Sequence, residues 1–353
     1  MFRILHGDNI LNIASSLGAG INGSGVSGNV YLKYSLNDID RPLVVTFSNA
    51  GEITHEADLY DKSYSPWGFD FVKRYGVNVI SFSCVGFANW YRSETFLQFV
   101  TLLSKLLKIF RVKLGYGGSM GGYAASVFSN SFGFNRQLLM NPISTLAREI
   151  VPWETRFKGA MELNWNENYY DGAQANSKNI IVYDPIFTLD YKHAQRYRNR
   201  IELKIPGVGH GVPKHLNNLR VLKLVFEMFL NDNIQPQVFH RFVRSRRYYD
   251  GYYNWMLSRQ NSHLTIERRR VIEFHRNKIP KNEGSSCRNF NDAHIDLIRD
   301  TAIKIEGLNI GIANELMLLA HNLRPNGKQI KSKLVTYSKM LCKNRTPIDT
   351  GSN

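Results

Sequence analysis

Between residues 29 and 232 two patterns of apolar residues alternate along the chain. Asn29–Leu36 alternates apolar with polar positions, which predicts a strand. Leu43–Phe47, Val77–Cys84, Val112–Tyr116, Gln137–Met140, Asn179–Tyr183 and Ile201–Ile205 are short runs of the kind found in strands, and Leu43–Phe47 in particular is continuous, as in a strand buried on both faces. Helical spacing separates these runs. From Ser93 to Phe110 the residues Phe96, Phe99, Val100, Leu103, Leu106, Leu107 and Phe110 fall on one helical face. Pro66–Tyr75, Gly121–Ser131, Thr188–Arg200 and Pro213–Leu230 are the other predicted helices. Strands alternating with helices imply βαβ units, hence an α/β fold with a mostly parallel sheet and helices on both faces. Residues 1–28, ending in a glycine-serine run, are expected to be weakly structured, and residues 143–176, without clean periodicity, to be an insertion over the site.

The pattern changes after residue 235. Residues 264–278, 291–305, 308–323 and 328–341 have helical spacing, with a break at Arg324-Pro325-Asn326-Gly327. We therefore expect a catalytic domain over residues 1–239 and an all-helical C-terminal region over 240–353. The last two helices resemble one helical-hairpin unit, too few to define a repeat array.

Charge sharpens this division. The chain carries a net charge of +16, and residues 241–353 hold 21 Lys and Arg against 10 Asp and Glu. Such a balance suits an anionic small molecule, an anionic polymer or a membrane surface. Arg244–Arg259 interleaves arginine with Tyr248, Tyr249, Tyr252, Tyr253 and Trp255, which could stack on sugars or bases or, equally, pack the helical region onto the rest. No nucleic-acid-binding signature accompanies it, so nucleic acid is not an expected partner. Cys84, Cys287 and Cys342 are far apart, which predicts neither a disulfide framework nor a zinc site and favours a reducing compartment. With no secretory signal and no apolar stretch long enough to span a bilayer, a cytoplasmic protein is expected, with peripheral membrane contact left open.

The chemistry centres on Arg111–Ser126, RVKLGYGGSMGGYAAS. A strand runs into Gly117-Gly118-Ser119-Met120-Gly121, and a small-residue helix leaves it. This is G-x-S-x-G in the strand–turn–helix context of a nucleophile elbow: Gly117 and Gly121 let strand and helix approach while Ser119 projects. A glycine-rich turn without chemistry is the alternative. A serine nucleophile needs a base, an orienting carboxylate and an oxyanion hole. Of ten histidines, His210 lies in PGVGHG, between a strand and a helix. His193 and His215 fall within helices. Asp184 ends the strand NIIVY and is the expected carboxylate; Asp171, in the insertion, and Asp190, inside a helix, are its competitors. The oxyanion donors are expected to be the N–H of Met120 and that of Asn49 or Ala50, in the loop after LVVTF. Trp153 and Trp165, in the insertion, are candidate substrate contacts. No metal and no bound cofactor are expected.

The series FSNAG, GYGGSMGGYAA, the strand-ending aspartate and GVGHG resembles the α/β-hydrolase superfamily over about residues 29–232. More narrowly, GSMGGYAA with its preceding FSN resembles bacterial serine acyl-transfer proteins tied to surface polysaccharides and glycoproteins, some of them O-acetyltransferases. The resemblance implies an α/β-hydrolase-type sheet flanked by helices and acyl-serine chemistry. Two departures from ordinary lipases and esterases, the absence of HGGG and the basic helical region, argue against a simple lipid ester. The expected activity is esterase-type hydrolysis of a polar or carbohydrate-linked ester. Transfer of an acyl group from acyl-CoA (acetyl-CoA as co-substrate) to a bacterial polysaccharide or glycan is the alternative, and a non-catalytic scaffold the second. Oligomeric state is not legible.

Overall fold

The computed structural model describes residues 2–13, 20–165, 169–258, 264–278 and 292–343. Arg259 and Cys287 lie outside them. Two compact units divide between Asn282 and Glu283. The division thus falls beyond residue 239, where composition placed the boundary, and residues 240–258 and 264–278 belong with the first unit.

The first unit is built on one sheet. Its strands are β1 (Phe2–Gly7), β2 (Ile21–Ser27), β3 (Val30–Leu36), β4 (Leu43–Phe47), β5 (Asn78–Cys84), β6 (Lys113–Gly118), β7 (Arg136–Met140), β8 (Lys178–Tyr183) and β9 (Arg200–Lys204). Their order is β1-β2-β3-β5-β4-β6-β7-β8-β9. Strands β1, β2, β3 and β5 pair antiparallel in succession; β5, β4, β6, β7, β8 and β9 run parallel. This is the mostly parallel α/β-hydrolase-type sheet. The expectation of weak structure over residues 1–28 is corrected: β1 and β2 extend the sheet at its antiparallel end. In β2 glycines and serines mask the alternation, because pairing with β3 from Ile21↔Leu36 to Ser27↔Val30 satisfies the backbone whatever the side chains are, and β1 pairs with β2 in turn.

The helices of the sheet unit are α1 (Phe69–Lys73), α2 (Glu94–Leu106), α3 (Met120–Val127), α4 (Ser129–Phe132), α5 (Lys158–Met161), α6 (Thr188–Arg196), α7 (Val212–Asn218), α8 (Leu222–Leu230), α9 (Pro236–Val243), α10 (Asp250–Leu257) and α11 (Ile266–Asn277). Along β4, Leu43, Val45 and Phe47 enter one core with Phe96, Val100 and Ala124, whereas Val44 enters another with Val72, Val225 and Phe226. Burial on both faces explains the unbroken apolar run. The helix expected over 213–230 is two: the chain breaks at Arg220, whose φ is +57°, between α7 and α8.

Strands β4 and β6 are neighbours although β5 lies between them in sequence. Crossovers leave this point in opposite directions, so the loops at the C-terminal ends of β4 and β6 face each other across a crevice, where ligands bind in open α/β sheets. The second unit comprises α12 (Asp292–Ile305), α13 (Ile310–Leu323) and α14 (Lys328–Lys343), packed around Ile295, Met317, Ile330 and Tyr337. Among the described residues no helix is long and apolar enough to cross a membrane.

Candidate active site

The elbow follows from backbone crowding. A Cβ at Gly121 would stand 2.0 Å from the Phe47 carbonyl oxygen, and one at Gly117 would stand 2.2 Å from the Gly121 oxygen. Only glycine lets α3 start this close to the ends of β4 and β6. Ser119 sits at the resulting turn with φ +52°, a region a side chain rarely adopts, so its conformation is held by its surroundings. The Ser119 N–H donates to Met140 O at 3.0 Å, and its carbonyl accepts from Tyr123 N at 3.0 Å. The Met120 amide is the first of α3, at the positive end of the helix dipole.

The loop after β4 begins beside the first turn of α3, where a Cβ at Gly121 would stand 3.1 Å from Ser48 O. Ser48 N–H donates to Phe82 O at 2.9 Å, and buried Tyr91 donates its hydroxyl to Ser48 O at 2.9 Å. Asn49 Oδ1 accepts from Gly51 N at 2.8 Å, so its side-chain oxygen closes the turn.

His210 meets Ser119. His210 Nε2 lies 2.8 Å from Ser119 Oγ, and the ring is 28% exposed, open to an incoming substrate. On the other side the sequence expectation is corrected. His210 Nδ1 lies 2.8 and 2.9 Å from the two oxygens of Asp190, a fully buried carboxylate in the first turn of α6. Asp184 does not reach the ring. Its Oδ2 accepts from Val208 N at 2.8 Å and Gly209 N at 2.7 Å, and its Oδ1 from Ile186 N at 2.8 Å. A strand-ending Asp-Pro is well placed to close a turn on its own backbone, and that local role has claimed the carboxylate. Burial raises the Asp184 pKa, an effect its backbone donors offset in part. The two aspartates divide the work: Asp184 fixes the backbone of the histidine loop, Asp190 the ring. The third candidate, Asp171, pairs with Arg196 at 2.7 Å.

The insertion supplies groups that no sequence pattern announced. Arg156 Nη1 lies 2.9 Å from Asp190 Oδ1 and 3.2 Å from His210 Nδ1. Glu154 grips the guanidinium through Nη2 at 2.7 Å and Nε at 3.0 Å. Glu154 Oε2 also takes the proton-bearing Nε2 of His193, 2.9 Å away. That tautomer follows from the other ring nitrogen, which accepts from Ser144 N at 3.1 Å. Burial holds the His193 pKa below its ordinary value, so the ring is a neutral donor. Burial alone would raise the Glu154 carboxyl, yet the His193 and Arg156 hydrogen bonds hold it well below the usual carboxylate range. Phe157 and Phe187 flank Arg156 at 5.3 and 5.4 Å, and both rings lie within 6.4 Å of the His210 ring. Asn141, at the end of β7, places Nδ2 3.2 Å from His210 Nε2.

The tryptophans are not where a substrate wall would need them. Trp165 is 4% exposed, packs on Trp90 and Tyr123, and donates Nε1 to Ala160 O at 2.8 Å. Its expected substrate contact is corrected to a core role. Trp153 stacks edge-on against the His193 ring at 4.6 Å. The aromatic positions beside the histidine are Phe157 and Phe187. Helix α10, from the arginine- and tyrosine-rich stretch, backs the histidine loop: a Cβ at Gly209 would stand 1.8 Å from the Trp255 ring. Among the described residues no cluster of His, Cys, Asp and Glu is placed to hold a metal ion.

The sheet order and the elbow define an α/β-hydrolase-type fold. Solved structures of similar fold include the capsule O-acetyltransferase of Neisseria meningitidis serogroup A (12% identity, TM-score 0.41, covering 60% of this chain and 94% of that one). They also include a Pyrobaculum calidifontis esterase (14%, TM-score 0.40, 64% and 88%) and the glycosylation-associated Gap123 complex of Streptococcus agalactiae (15%, TM-score 0.39, 58% and 44%). No family model and no curated protein matches the chain.

Proposed function

We propose that this protein is a serine-nucleophile enzyme acting on acyl esters, with Ser119, His210 and Asp190 as its triad. The observation that carries the reading is the continuous chain Ser119 Oγ–His210 Nε2 at 2.8 Å and His210 Nδ1–Asp190 at 2.8 Å. Ser119 Oγ attacks the ester carbonyl while its proton passes to His210 Nε2. The N–H groups of Met120 and of the Asn49–Ala50 loop receive the oxyanion. When the tetrahedral species collapses, the ester C–O bond breaks and the Nε2 proton goes to the leaving alkoxide. An acyl-serine remains. His210 Nε2 then takes the proton of the incoming hydroxyl as its oxygen attacks the acyl carbon; the bond from that carbon to Ser119 Oγ breaks, the Nε2 proton returns to Oγ, and the acyl group leaves on the acceptor. Asp190 holds the ring in the tautomer that leaves Nε2 free and stabilises the imidazolium.

Hydrolysis, with water as acceptor and a polar or carbohydrate-linked ester as substrate, is the leading reading. The net charge of +16 favours anionic substrates, and acyl transfer from acyl-CoA to a glycan is the second reading on that ground. A fluorophosphonate probe should label the wild-type protein and fail to label Ser119→Ala, whose fold should be unchanged by circular dichroism. Equal labelling of the two would sink the assignment. Incubation with acetyl-CoA and candidate glycans, followed by mass, separates the readings: free acetate without acetylated glycan supports hydrolysis.

A further inference from the structure

We propose that Glu154 and Arg156 of the insertion are positioning residues that set the proton affinity of His210. This rests on the triad reading for its catalytic meaning, though the electrostatic device itself does not. The groups lie in a line. His193 donates to Glu154, Glu154 holds Arg156 through two of its nitrogens, and Arg156 donates to the same Asp190 oxygen that faces His210. Both carboxylates are fully buried and the guanidinium is 20% exposed, so their interactions are weakly screened.

The charges act on the ring in opposite directions. Asp190 stabilises an imidazolium at His210. The Arg156 nitrogen, 3.2 Å from Nδ1, opposes it and also shares the carboxylate with the ring. Glu154 neutralises Arg156 from behind. With all three charged, the cluster sums to a single negative charge, as a lone aspartate would supply. An aspartate between two donors is also held in one rotamer, so Oδ1 and Oδ2 both stay within 2.9 Å of Nδ1. Among the described residues the other titratable groups nearby are engaged elsewhere. Asp184 is turned to the backbone of 208 and 209, and Lys192 lies over the Trp153 ring. His215 is on α7, where burial and then Lys214 lower its pKa; His193 is neutral and Asn141 uncharged.

Removing one charge or the other must therefore move His210 in opposite senses. Arg156→Met leaves two carboxylates and raises the pH at which His210 titrates. Glu154→Gln keeps the shape and the acceptor toward His193 but leaves Arg156 unopposed, so His210 titrates lower. Each shift should be roughly one pH unit, typical of a charge within a few ångström. Arg156→Lys retains the charge without the planar fork and should return the titration toward wild type. The measurement is an NMR titration of ring-labelled histidine in the full chain, with the His210 signal identified by its loss in His210→Gln. Opposed shifts support the proposal. Titration of both variants at the wild-type pH, or shifts in the same direction, overturns it. If Arg156→Met does not fold, the sign for Glu154→Gln decides alone. Fluorophosphonate labelling of the same wild-type sample keeps the two questions apart: a protein that is not labelled loses the acyl-serine reading, while the titration still decides the role of Arg156 and Glu154.

Discussion

The two sides of His210 are held by different physics. On the serine side, glycines at 117 and 121 let backbone meet backbone, and the strained turn at Ser119 has no room to change. On the acid side, the ring is held by side chains: Asp190, Arg156, Glu154 and His193 form a line of hydrogen bonds drawn from α6 and the insertion. A backbone-built feature tolerates almost no substitution but is written locally, in consecutive residues. A side-chain network tolerates tuning, and its members come from distant parts of the chain.

The difference can be broken most severely at the two aspartates. Asp190→Asn should lower turnover or probe labelling by about 10³–10⁴-fold, because an amide can hold the wrong tautomer, and it also costs stability, since Arg156 loses a buried partner. Asp184→Asn should show much the smaller loss of labelling. It loses a carboxylate that accepts three backbone N–H groups, so the melting temperature falls while labelling drops by only about tenfold, through a looser histidine loop. Thermal melts and labelling rates of the two variants check this. A larger catalytic loss for Asp184→Asn than for Asp190→Asn would reinstate Asp184 as the orienting group.

The serine side should break as a unit. Gly121→Ala puts a methyl group 2.0 Å from the Phe47 carbonyl oxygen, in backbone that has no rotamer with which to yield. A loss of at least about 3 kcal/mol, read by urea denaturation, is expected from overpacking at such a contact. A variant of wild-type stability would show that β4 and α3 are less closely apposed than this geometry requires.

These contrasts explain what was legible in the sequence. Strands β4 to β8 are readable because burial on both faces demands apolar residues, β3 because it alternates, and Ser119 and His210 because glycines lie close to each of them. Asp190 reads in the sequence as the weaker candidate because it falls inside a helix. It stands only three residues into α6, however, and a helix that begins directly beyond a strand end carries its first turn at the same rim of the sheet as the loops. Asp184 looked better placed because it ends the strand, which is also the reason its carboxylate is spent on turn backbone. Arg156 and Glu154 gave no signal, since a charged residue in an aperiodic segment is indistinguishable from a solvated one until its partners are in space. β1 and β2 were missed because their backbone pairing does not depend on apolar side chains.

The smallest effect probes a contact between the two regimes. Gly209 has φ +58° and lies against the Trp255 indole of α10, one residue before His210. Gly209→Ala therefore meets two costs. The left-handed conformation alone costs about 1–2 kcal/mol for alanine. The clash with a side chain adds a second cost that depends on Trp255. Trp255→Ala removes the second and leaves the first. In a double-mutant cycle, Gly209→Ala should be less destabilising in the Trp255→Ala background than in the wild type, with a coupling of about 1 kcal/mol. Equal costs in the two backgrounds would mean that the indole moves aside freely and that α10 does not brace the histidine loop. A measured coupling accompanied by slower probe labelling in Trp255→Ala would assign the aromatic stretch at 248–255 to support of the site rather than to stacking on substrate.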